Sequence, residues 1–371
     1  MIQTYLPPFV IAALISGGLT YYIKALATKL KLVDQPSPRK IHYKPIPRLG
    51  GVAIVLAFLI VLAGYTFASG RLAFSPFKIW MVDKHLVGVV TGLLVLLIVG
   101  FFDDVRGMGI KAYKKLFWHI VAAVAVVLGG LSISYLRLPF GAHINLTNLQ
   151  IPLHLFSHTY NFVVWGDLLT IFWIVLLINT LNFLDGLDGL AAGVSVITSF
   201  VIFFLAISLG QDANALFAIL IAGVAFGFLP WNFNPAKIFM GDSGSMALGY
   251  LLGVSSIISG GKLATAFLVL GIPVLDVGWV ILRRLFSGHS PFDADRGHLH
   301  HRLLTAGLTQ RQAVTLLYLV ASAFGVIAVV ASTQEKIQAV MSLIVLMIVL
   351  AFVLVYLEYR KRRRENAKKV V

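Results

Sequence analysis

The stretch HLVGVVTGLLVLLIVGFFDD, residues 85–104, joins a long apolar run to two adjacent aspartates. A helix needs about 20 apolar residues to cross the hydrocarbon core of a bilayer, so residues 85–102 predict a membrane-spanning helix. Asp103 and Asp104 then stand where this helix leaves the membrane. An ionised carboxylate at membrane depth costs at least about 2.5 kcal/mol, and such groups usually serve an ion, a substrate or a proton.

The composition extends this interpretation to the whole chain. Of 371 residues, 59% are hydrophobic and 12% are charged, with a mean hydropathy of +0.91. A soluble domain of this length could not bury so much apolar surface, so the composition excludes that class. Cysteine is absent, which excludes disulfides, thiolate nucleophiles and cysteine metal sites.

Eleven apolar runs are long enough to be spanning helices, and the chain is predicted to be an all-α polytopic membrane protein with about 11 transmembrane helices. The first run lacks a preceding cation and is too long for a signal-peptide core, so we interpret it as a retained helix. Residues 1–358 are expected to form a single membrane domain and residues 359–371 a basic cytoplasmic tail. The runs cover residues 3–28, 50–69, 85–102, 114–131, 165–182, 187–208, 213–230, 243–259, 262–282, 312–332 and 337–358.

The basic residues predict the orientation. With the N-terminus outside, 24 of the 30 Lys and Arg residues fall in cytoplasmic segments. This excess follows the positive-inside rule and places the C-terminus in the cytoplasm, with the RKRRR stretch at 360–364 as a lipid-headgroup anchor. The net charge of +15 therefore requires no nucleic-acid partner.

The external side is expected to carry little structure. Alternating apolar and polar residues near 135–138 and 144–146 indicate a small extracytoplasmic hairpin within 131–164. Pro139 and Gly141 lie at its expected turn.

The same topology places five carboxylates on the cytoplasmic face, where they can meet. Adjacent carboxylates can hold Mg²⁺ or act as a base, although a solvated helix cap is the alternative for the Asp103-Asp104 pair. The five are Asp103, Asp104, Asp185, Asp188 and Asp242.

Two segments add detail around these carboxylates. In NFLDGLDG, residues 182–189, Asn182, Asp185 and Asp188 are spaced by three and share a face on helical geometry, unless they form a hydrogen-bonded helix break. In PAKIFMGDSGS, residues 235–245, Asp242 opens a helix whose N-terminal amides favour anions, or serves as a plain N-cap.

Two further cytoplasmic segments are basic. The element HLHH at 298–301 could bind zinc, but the spacing is not a common zinc pattern. Together with Arg296 and Arg302 it suits a phosphate-bearing ligand better. The stiff, proline-rich segment 34–51, which includes Arg48, also attracts phosphates, or serves only as a topology signal.

Taken in order, these motifs resemble the polyprenyl-phosphate N-acetylhexosamine-1-phosphate transferases. The resemblance rests on PIPRLGG at 45–51, the aspartate pair, 182–189, 235–245 and HLHH at 298–301, among the expected number of spans. Within this family the HLHH and PIPRLGG elements look more like the GlcNAc branch than the phospho-MurNAc-pentapeptide branch of peptidoglycan synthesis. The GlcNAc branch includes enzymes of teichoic acid and O-antigen synthesis.

The resemblance implies an enzyme, with a catalytic membrane domain facing the cytoplasm in the cytoplasmic (inner) membrane. It would transfer GlcNAc-1-phosphate from UDP-GlcNAc to undecaprenyl phosphate and release UMP, with Mg²⁺ as cofactor and Mn²⁺ as the alternative ion. Membrane lipids would surround it, and the family also admits a homodimer.

The resemblance assigns roles by motif position. Asp242 and Asn182 would hold the metal, while Asp103, supported by Asp104, would orient or deprotonate the lipid phosphate. Asp185 belongs to the catalytic set without a specified role. The substrate-binding residues would be Asp188 and Phe239 at the uracil, and Lys115, Arg48, His298, His300, His301 and Arg302 at the diphosphate and sugar.

Two alternatives belong to other classes. A secondary transporter would place its polar groups near the membrane midplane, between repeats, whereas here they lie at one face. A non-catalytic scaffold would not need so many convergent polar groups. Asp276, three residues after Pro273, is expected to play a structural or supporting role.

Overall fold

The computed structural model describes residues 2–36, 44–79, 82–106, 109–137, 143–155, 158–259, 263–286, 288 and 298–369. Most of these residues are helical. The helices are α1 (Ile2–Lys29), α2 (Gly50–Ser69), α3 (Lys84–Val105), α4 (Ala112–Leu128), α5 (Val164–Leu184), α6 (Leu190–Ser208), α7 (Asp212–Asn232), α8 (Gly241–Ile258), α9 (Leu263–Phe286), α10 (Leu299–Thr305), α11 (Gln310–Val330) and α12 (Thr333–Lys369).

Each of the eleven predicted apolar runs coincides with a helix, and α10 is the additional one. In the part of the chain that the structure describes, nine helices are long and apolar enough to cross a membrane, which confirms a polytopic membrane protein. The shorter α4 and α8, of 17 and 18 residues, are not among these nine. The count of eleven spans and their orientation stay predictions. The division between membrane domain and tail at residue 358 also stays a prediction, and α12 continues across it without a break to Lys369.

Among the described residues, short antiparallel strand pairs occupy the segments that connect the helices. The expected hairpin is present, with Tyr135 paired to Asn145, and its turn residues Pro139 and Gly141 lie outside the described residues. A second, longer hairpin was missed because strand pairing depends on a partner that local sequence does not reveal. The strands are β1 (Val33–Asp34), β2 (Ile46–Pro47), β3 (Lys78–Ile79), β4 (Val82–Asp83), β5 (Tyr135–Arg137), β6 (His143–Asn145), β7 (Gln150–Leu155) and β8 (His158–Val163).

The most buried helices form the centre of the bundle. In α6 and α7, 72% of the apolar window is buried, compared with 22% in α1 and 11% in α12. Large apolar side chains on the outer helices are exposed, among them Leu14 and Phe352. Such a surface suits lipid, because a helix that is apolar all round needs a non-aqueous environment.

Helix α8 lies at the centre and packs against α2, α3 and α5. Glycine permits this packing, because a Cβ atom on Gly51 of α2 would overlap the backbone of Gly244 of α8. A Cβ atom on Gly249 of α8 would lie 2.5 Å from the carbonyl oxygen of Leu177 in α5. These backbone contacts fix the start of α8, and with it Asp242.

Three other acidic residues form hydrogen bonds at sites away from the start of α8. Asp83 caps α3 by accepting a hydrogen bond from the amide of His85 (2.8 Å). Asp167, fully buried at the start of α5, accepts one from the hydroxyl of Tyr160 (2.9 Å). Asp212 accepts one from the hydroxyl of Tyr5 (2.9 Å) and so connects α7 to α1.

The contact between α2 and α8 can be tested with a pair of glycine substitutions in one helix. Gly51→Ala should lower the melting temperature of the purified protein, because the added methyl group overlaps the backbone of α8 and overpacking typically costs about 1–3 kcal/mol. Gly64→Ala is the matched control, since a Cβ atom there meets nothing within 4 Å. It should leave the melting temperature unchanged or raise it slightly. Equal melting temperatures for the two variants would show that the α2–α8 contact is not tight.

Candidate active site

A cavity of about 950 Å³ opens where α5, α7 and α8 meet the segment between α1 and α2. This volume is sufficient for a ligand the size of a nucleotide sugar. Seven of the thirteen predicted site residues line the cavity: Arg48, Asn182, Asp185, Asp188, Phe239, Asp242 and His301. The other six, Asp103, Asp104, Lys115, His298, His300 and Arg302, do not line it.

Beside this cavity the ends of α3 and α8 bring three carboxylates together. Asp103, Asp104 and Asp242 each offer an oxygen atom, and these atoms all lie within 4.8 Å of one another. This confirms the inference from charge patterning that the aspartate pair and Asp242 can meet. Oxygen atoms at this spacing could hold a metal ion.

Lys115, near the start of α4, bridges two of these carboxylates. Its Nζ atom lies 3.0 Å from Asp103 Oδ2 and 2.5 Å from Asp242 Oδ2. Asp103 is fixed further by a hydrogen bond from the amide of Ile110 to its other oxygen. The ammonium group therefore occupies a position at which two carboxylates favour a cation.

Asp104 is buried and uses both oxygens to hold the first turn of α8. Its carboxylate accepts hydrogen bonds from the amides of Asp242 (2.8 Å) and Ser243 (3.1 Å) and from the hydroxyl of Ser243 (2.7 Å). Asp104 is therefore not the solvated cap of its own helix that was the alternative for the aspartate pair. Nor is Asp242 the N-cap of its own helix, because a carboxylate from α3 fills that role and leaves Asp242 to face Lys115.

Asn182, in the last turn of α5, faces the same helix start. Its Nδ2 atom donates to Ser245 Oγ (3.0 Å), and its side chain also contacts the Asp242 carboxylate. Both predicted metal ligands are therefore adjacent. The side chain of Asn182 is held by α8 rather than by its own helix.

Asp185 follows α5 and is half-buried at the cavity wall. Burial raises its pKa well above the ordinary value for aspartate, and the charges of Asp242, Asp104 and Asp188 raise it further, while Arg48 opposes the shift. Burial is the larger cause of this pKa shift, and the neighbouring carboxylates add to it.

Asp188 holds the segment between α7 and α8. Its Oδ2 atom accepts hydrogen bonds from Asn234 Nδ2 (2.9 Å) and from the amide of Ala236 (3.1 Å). Asn234 is held in turn by Gln310 Oε1 (2.8 Å) at the start of α11. Both Asp188 and Phe239 line the cavity, so the pair expected at a nucleobase is present there.

The segments 45–51 and 235–245 lie side by side, joined by backbone hydrogen bonds. The amide of Phe239 donates to the carbonyl of Pro47 (2.8 Å), and the amides of Gly50 and Gly51 donate to Phe239 (3.0 Å) and Met240 (2.7 Å). This pairing brings Arg48 to the cavity. Arg48 is anchored by Asp34 at 3.1 Å.

The histidines form a stack rather than a convergent metal site. The rings of His298 and His300 are parallel, with centroids 5.8 Å apart, and His300 lies 4.4 Å from His301. Among the residues that the structure describes, the only group suited to a metal is the aspartate cluster, so the zinc alternative has no support there. Burial, with the neighbouring histidines, lowers the pKa of His300 to about 3, so this ring is neutral at physiological pH.

Asp276 anchors this stack, as the structural role expected for it implies. Its carboxylate contacts His298 Nδ1 (3.0 Å) and accepts the amide of Leu299 (2.9 Å) at the start of α10. Gly186 allows His300 to pack beneath the segment after α5, since a Cβ atom there would overlap the ring. Arg296 lies outside the described residues.

Several residues at the cavity were not predicted from the sequence. Asn234 and Gln310 position Asp188, and their polarity alone gave no distinguishing signal. Lys24, Lys44 and Lys237 also line the wall, although in the sequence they contribute only to the count of cytoplasmic cations. Their convergence depends on the packing of α1 against α7.

In a bundle of apolar helices, clustered carboxylates beside a polar cavity form a membrane-embedded site that could hold a metal ion and a polar ligand. Residues 86–260 match the family model described as glycosyl transferase family 4. The chain belongs to this family, the polyprenyl-phosphate N-acetylhexosamine-1-phosphate transferases that its motifs resemble.

Its relatives match over most of their length. A Bacillus subtilis protein named as a probable undecaprenyl-phosphate N-acetylglucosaminyl 1-phosphate transferase is 33% identical, over 87% of this chain and 83% of that protein. A decaprenyl-phosphate N-acetylglucosaminephosphotransferase of Mycolicibacterium smegmatis is 34% identical, over 83% and 77%. An undecaprenyl-phosphate alpha-N-acetylglucosaminyl 1-phosphate transferase of Escherichia coli K12 is 30% identical, over 84% and 79%.

Lys115 should compete with a divalent cation for the same carboxylates. We expect Lys115→Gln to bind Mn²⁺ about tenfold more tightly than the unsubstituted protein, because a unit charge a few ångströms from the ion is removed. Electron paramagnetic resonance of free Mn²⁺ measures this without turnover. The exposed neighbour Lys114 provides the control, and Lys114→Gln should not alter the affinity. Weaker Mn²⁺ binding by Lys115→Gln would show that the ammonium does not occupy the position of the ion.

Proposed function

We propose that the protein transfers GlcNAc-1-phosphate from UDP-GlcNAc to undecaprenyl phosphate, giving undecaprenyl-diphospho-GlcNAc and UMP. The observation that carries this proposal is the convergence of Asp103, Asp104 and Asp242 with Lys115 beside the cavity. The names of the relatives support the same donor sugar and a polyprenyl phosphate acceptor.

The residues present fit a bound Mg²⁺, with Mn²⁺ as the alternative ion. Carboxylate and amide oxygens are the ligands that Mg²⁺ prefers, and Asp242, Asp103 and Asn182 offer them. The ammonium of Lys115, placed between two of these carboxylates, is a cation already held at this position. When bound, Mg²⁺ would withdraw negative charge from the donor diphosphate.

The transfer itself needs positioning more than covalent chemistry from the protein. An oxygen of the lipid phosphate attacks the sugar-bearing phosphorus, a new P–O–P link forms, and the bond to the UMP oxygen breaks. When the donor diphosphate binds, the ammonium of Lys115 can turn from the carboxylates to the phosphate oxygens. Asp103, which is held by Ile110 and Lys115, would orient the lipid phosphate or accept its proton.

Other residues of the cavity would recognise the nucleotide-sugar donor. Asp188 retains one carboxylate oxygen outside its bonds to Asn234 and Ala236, and this oxygen suits the N–H edge of uracil. Phe239 offers a ring for stacking. His301, on the cavity wall, and Arg302 would contact the sugar and diphosphate, with His298 and His300 positioning them.

The orientation belongs to the same proposal. The excess of Lys and Arg supports an orientation in which the cavity opens to the cytoplasm, where nucleotide sugars are available, from a cytoplasmic (inner) membrane. The product would then be the first membrane intermediate of a cell-envelope glycan, such as teichoic acid or the O-antigen of lipopolysaccharide.

The donor assay separates this function from phospho-MurNAc-pentapeptide transfer. Purified protein with undecaprenyl phosphate and Mg²⁺ should release UMP from UDP-GlcNAc and not from UDP-MurNAc-pentapeptide, with UMP measured by chromatography. Asp242→Ala should lose at least about 100-fold in rate, because it removes charge stabilisation of the transferring group.

The control for this assay is Asp212→Ala, an acidic residue whose partner is Tyr5 rather than the cavity. It should retain turnover, which shows that loss of a carboxylate alone does not inactivate the protein. Preference for the pentapeptide donor would contradict the proposed function, and full turnover by Asp242→Ala would contradict its assigned role.

A further inference from the structure

Two lysines that line the cavity come from distant parts of the chain and share one tryptophan. The Nζ atoms of Lys24, in α1, and Lys237, in the segment between α7 and α8, each lie 5.6 Å from the centre of the Trp231 ring. The two nitrogens are therefore no more than about 11 Å apart. Both lysines line the cavity.

The fold holds this arrangement in place. The amide of Lys237 donates to the carbonyl of Trp231 (2.8 Å), and the ring of Tyr21 packs against Trp231 with centroids 6.0 Å apart. Helices α1 and α7 are in close contact at this point, since a Cβ atom on Gly17 would lie 3.3 Å from the carbonyl oxygen of Gly227. The contact between α1 and α7 therefore brings the backbones of both lysines to the same tryptophan.

The two ammonium groups differ from the other cations near the cavity. Arg48 is paired with Asp34, and Lys115 with two aspartates. By contrast, the ion pairs found within the described ranges of the chain include neither Lys24 nor Lys237. A ring face stabilises an ammonium group on one side only and leaves its N–H donors able to bind an anion.

We propose that Lys24 and Lys237 form a phosphate-binding pair at the cavity, distinct from Lys115 and the aspartate cluster. The inference rests on the proposed function for the source of the phosphate, which is either the diphosphate of the nucleotide sugar or the phosphate of the lipid acceptor. The carboxylates of Asp188 and Asp242 repel both. A cation pair on the wall offsets this repulsion and raises the local concentration of an anionic substrate.

The test compares the double variant Lys24→Gln/Lys237→Gln with the unsubstituted protein, both in phosphatidylcholine nanodiscs. Equilibrium binding of radiolabelled UDP-GlcNAc and of undecaprenyl phosphate is measured separately, without the second substrate, so that no turnover is required. One of the two dissociation constants should rise about fivefold or more at low ionic strength, and the difference should shrink at high salt. In turnover, KM for that substrate should rise while kcat stays within about twofold.

The matched control is Lys111→Gln/Lys114→Gln, which removes the same charge from exposed positions at the start of α4 that do not line the cavity. It should leave both dissociation constants unchanged. Weaker binding of UDP-GlcNAc identifies the nucleotide as the ligand, and weaker binding of undecaprenyl phosphate identifies the lipid.

Unchanged dissociation constants for both ligands would overturn the inference, as would a loss equal to that of the control. A fall in kcat with both dissociation constants unchanged would also overturn it, because it would indicate a structural role. These results are distinct from failure of the proposed function, which would appear as an absence of UMP release by the unsubstituted protein.

Discussion

The capping of α8 by Asp104 is the interaction on which the rest of the site depends. A buried carboxylate from α3 accepts two amide hydrogen bonds and one hydroxyl hydrogen bond from the first turn of another helix. A hydrogen bond typically contributes about 0.5–1.5 kcal/mol to stability, and a helix N-terminus favours negative charge. Together with the close contact of Gly51 against Gly244, this cap fixes the start of α8 and so holds Asp242 beside Asp103, the sequence neighbour of Asp104.

The cap also separates two kinds of carboxylate that the sequence presents as equivalent. Asp104 uses both of its oxygens to hold the first turn of α8. Asp103 and Asp242 instead share the ammonium of Lys115, and Asp185 and Asp188 line the cavity beyond. A phosphoryl-transfer site must stabilise the negative charge of the transferring phosphate with positioned cations. This arrangement places cations and carboxylates close to one another.

Local pattern predicted much of this architecture. The apolar runs predicted the helices because a bilayer requires about 20 apolar residues, whatever their order. The excess of basic residues on one side predicted that Asp103 and Asp242 lie at the same face of the membrane. Asp104 and Asp242 could not be given separate roles from sequence, because a cap supplied by another helix leaves no local signal.

Other features depend on long-range contacts in the same way. The stacking of His298 on His300 requires the position of Asp276 in α9, and the hairpin of β7 and β8 requires its own partner strand. The pairing of Lys24 with Lys237 around Trp231 depends on how α1 meets α7. Each of these residues is visible in the sequence, but its neighbour is set by packing.

The fate of the sugar-bearing phosphorus tests the central claim most directly. The purified protein would be incubated with undecaprenyl phosphate, Mg²⁺ and UDP-GlcNAc carrying ³²P in its β-phosphate, and the organic and aqueous phases would then be separated. Transfer of GlcNAc-1-phosphate predicts that the label moves into the lipid phase and that unlabelled UMP is released. Label recovered in UDP, with the sugar alone on the lipid, would contradict it.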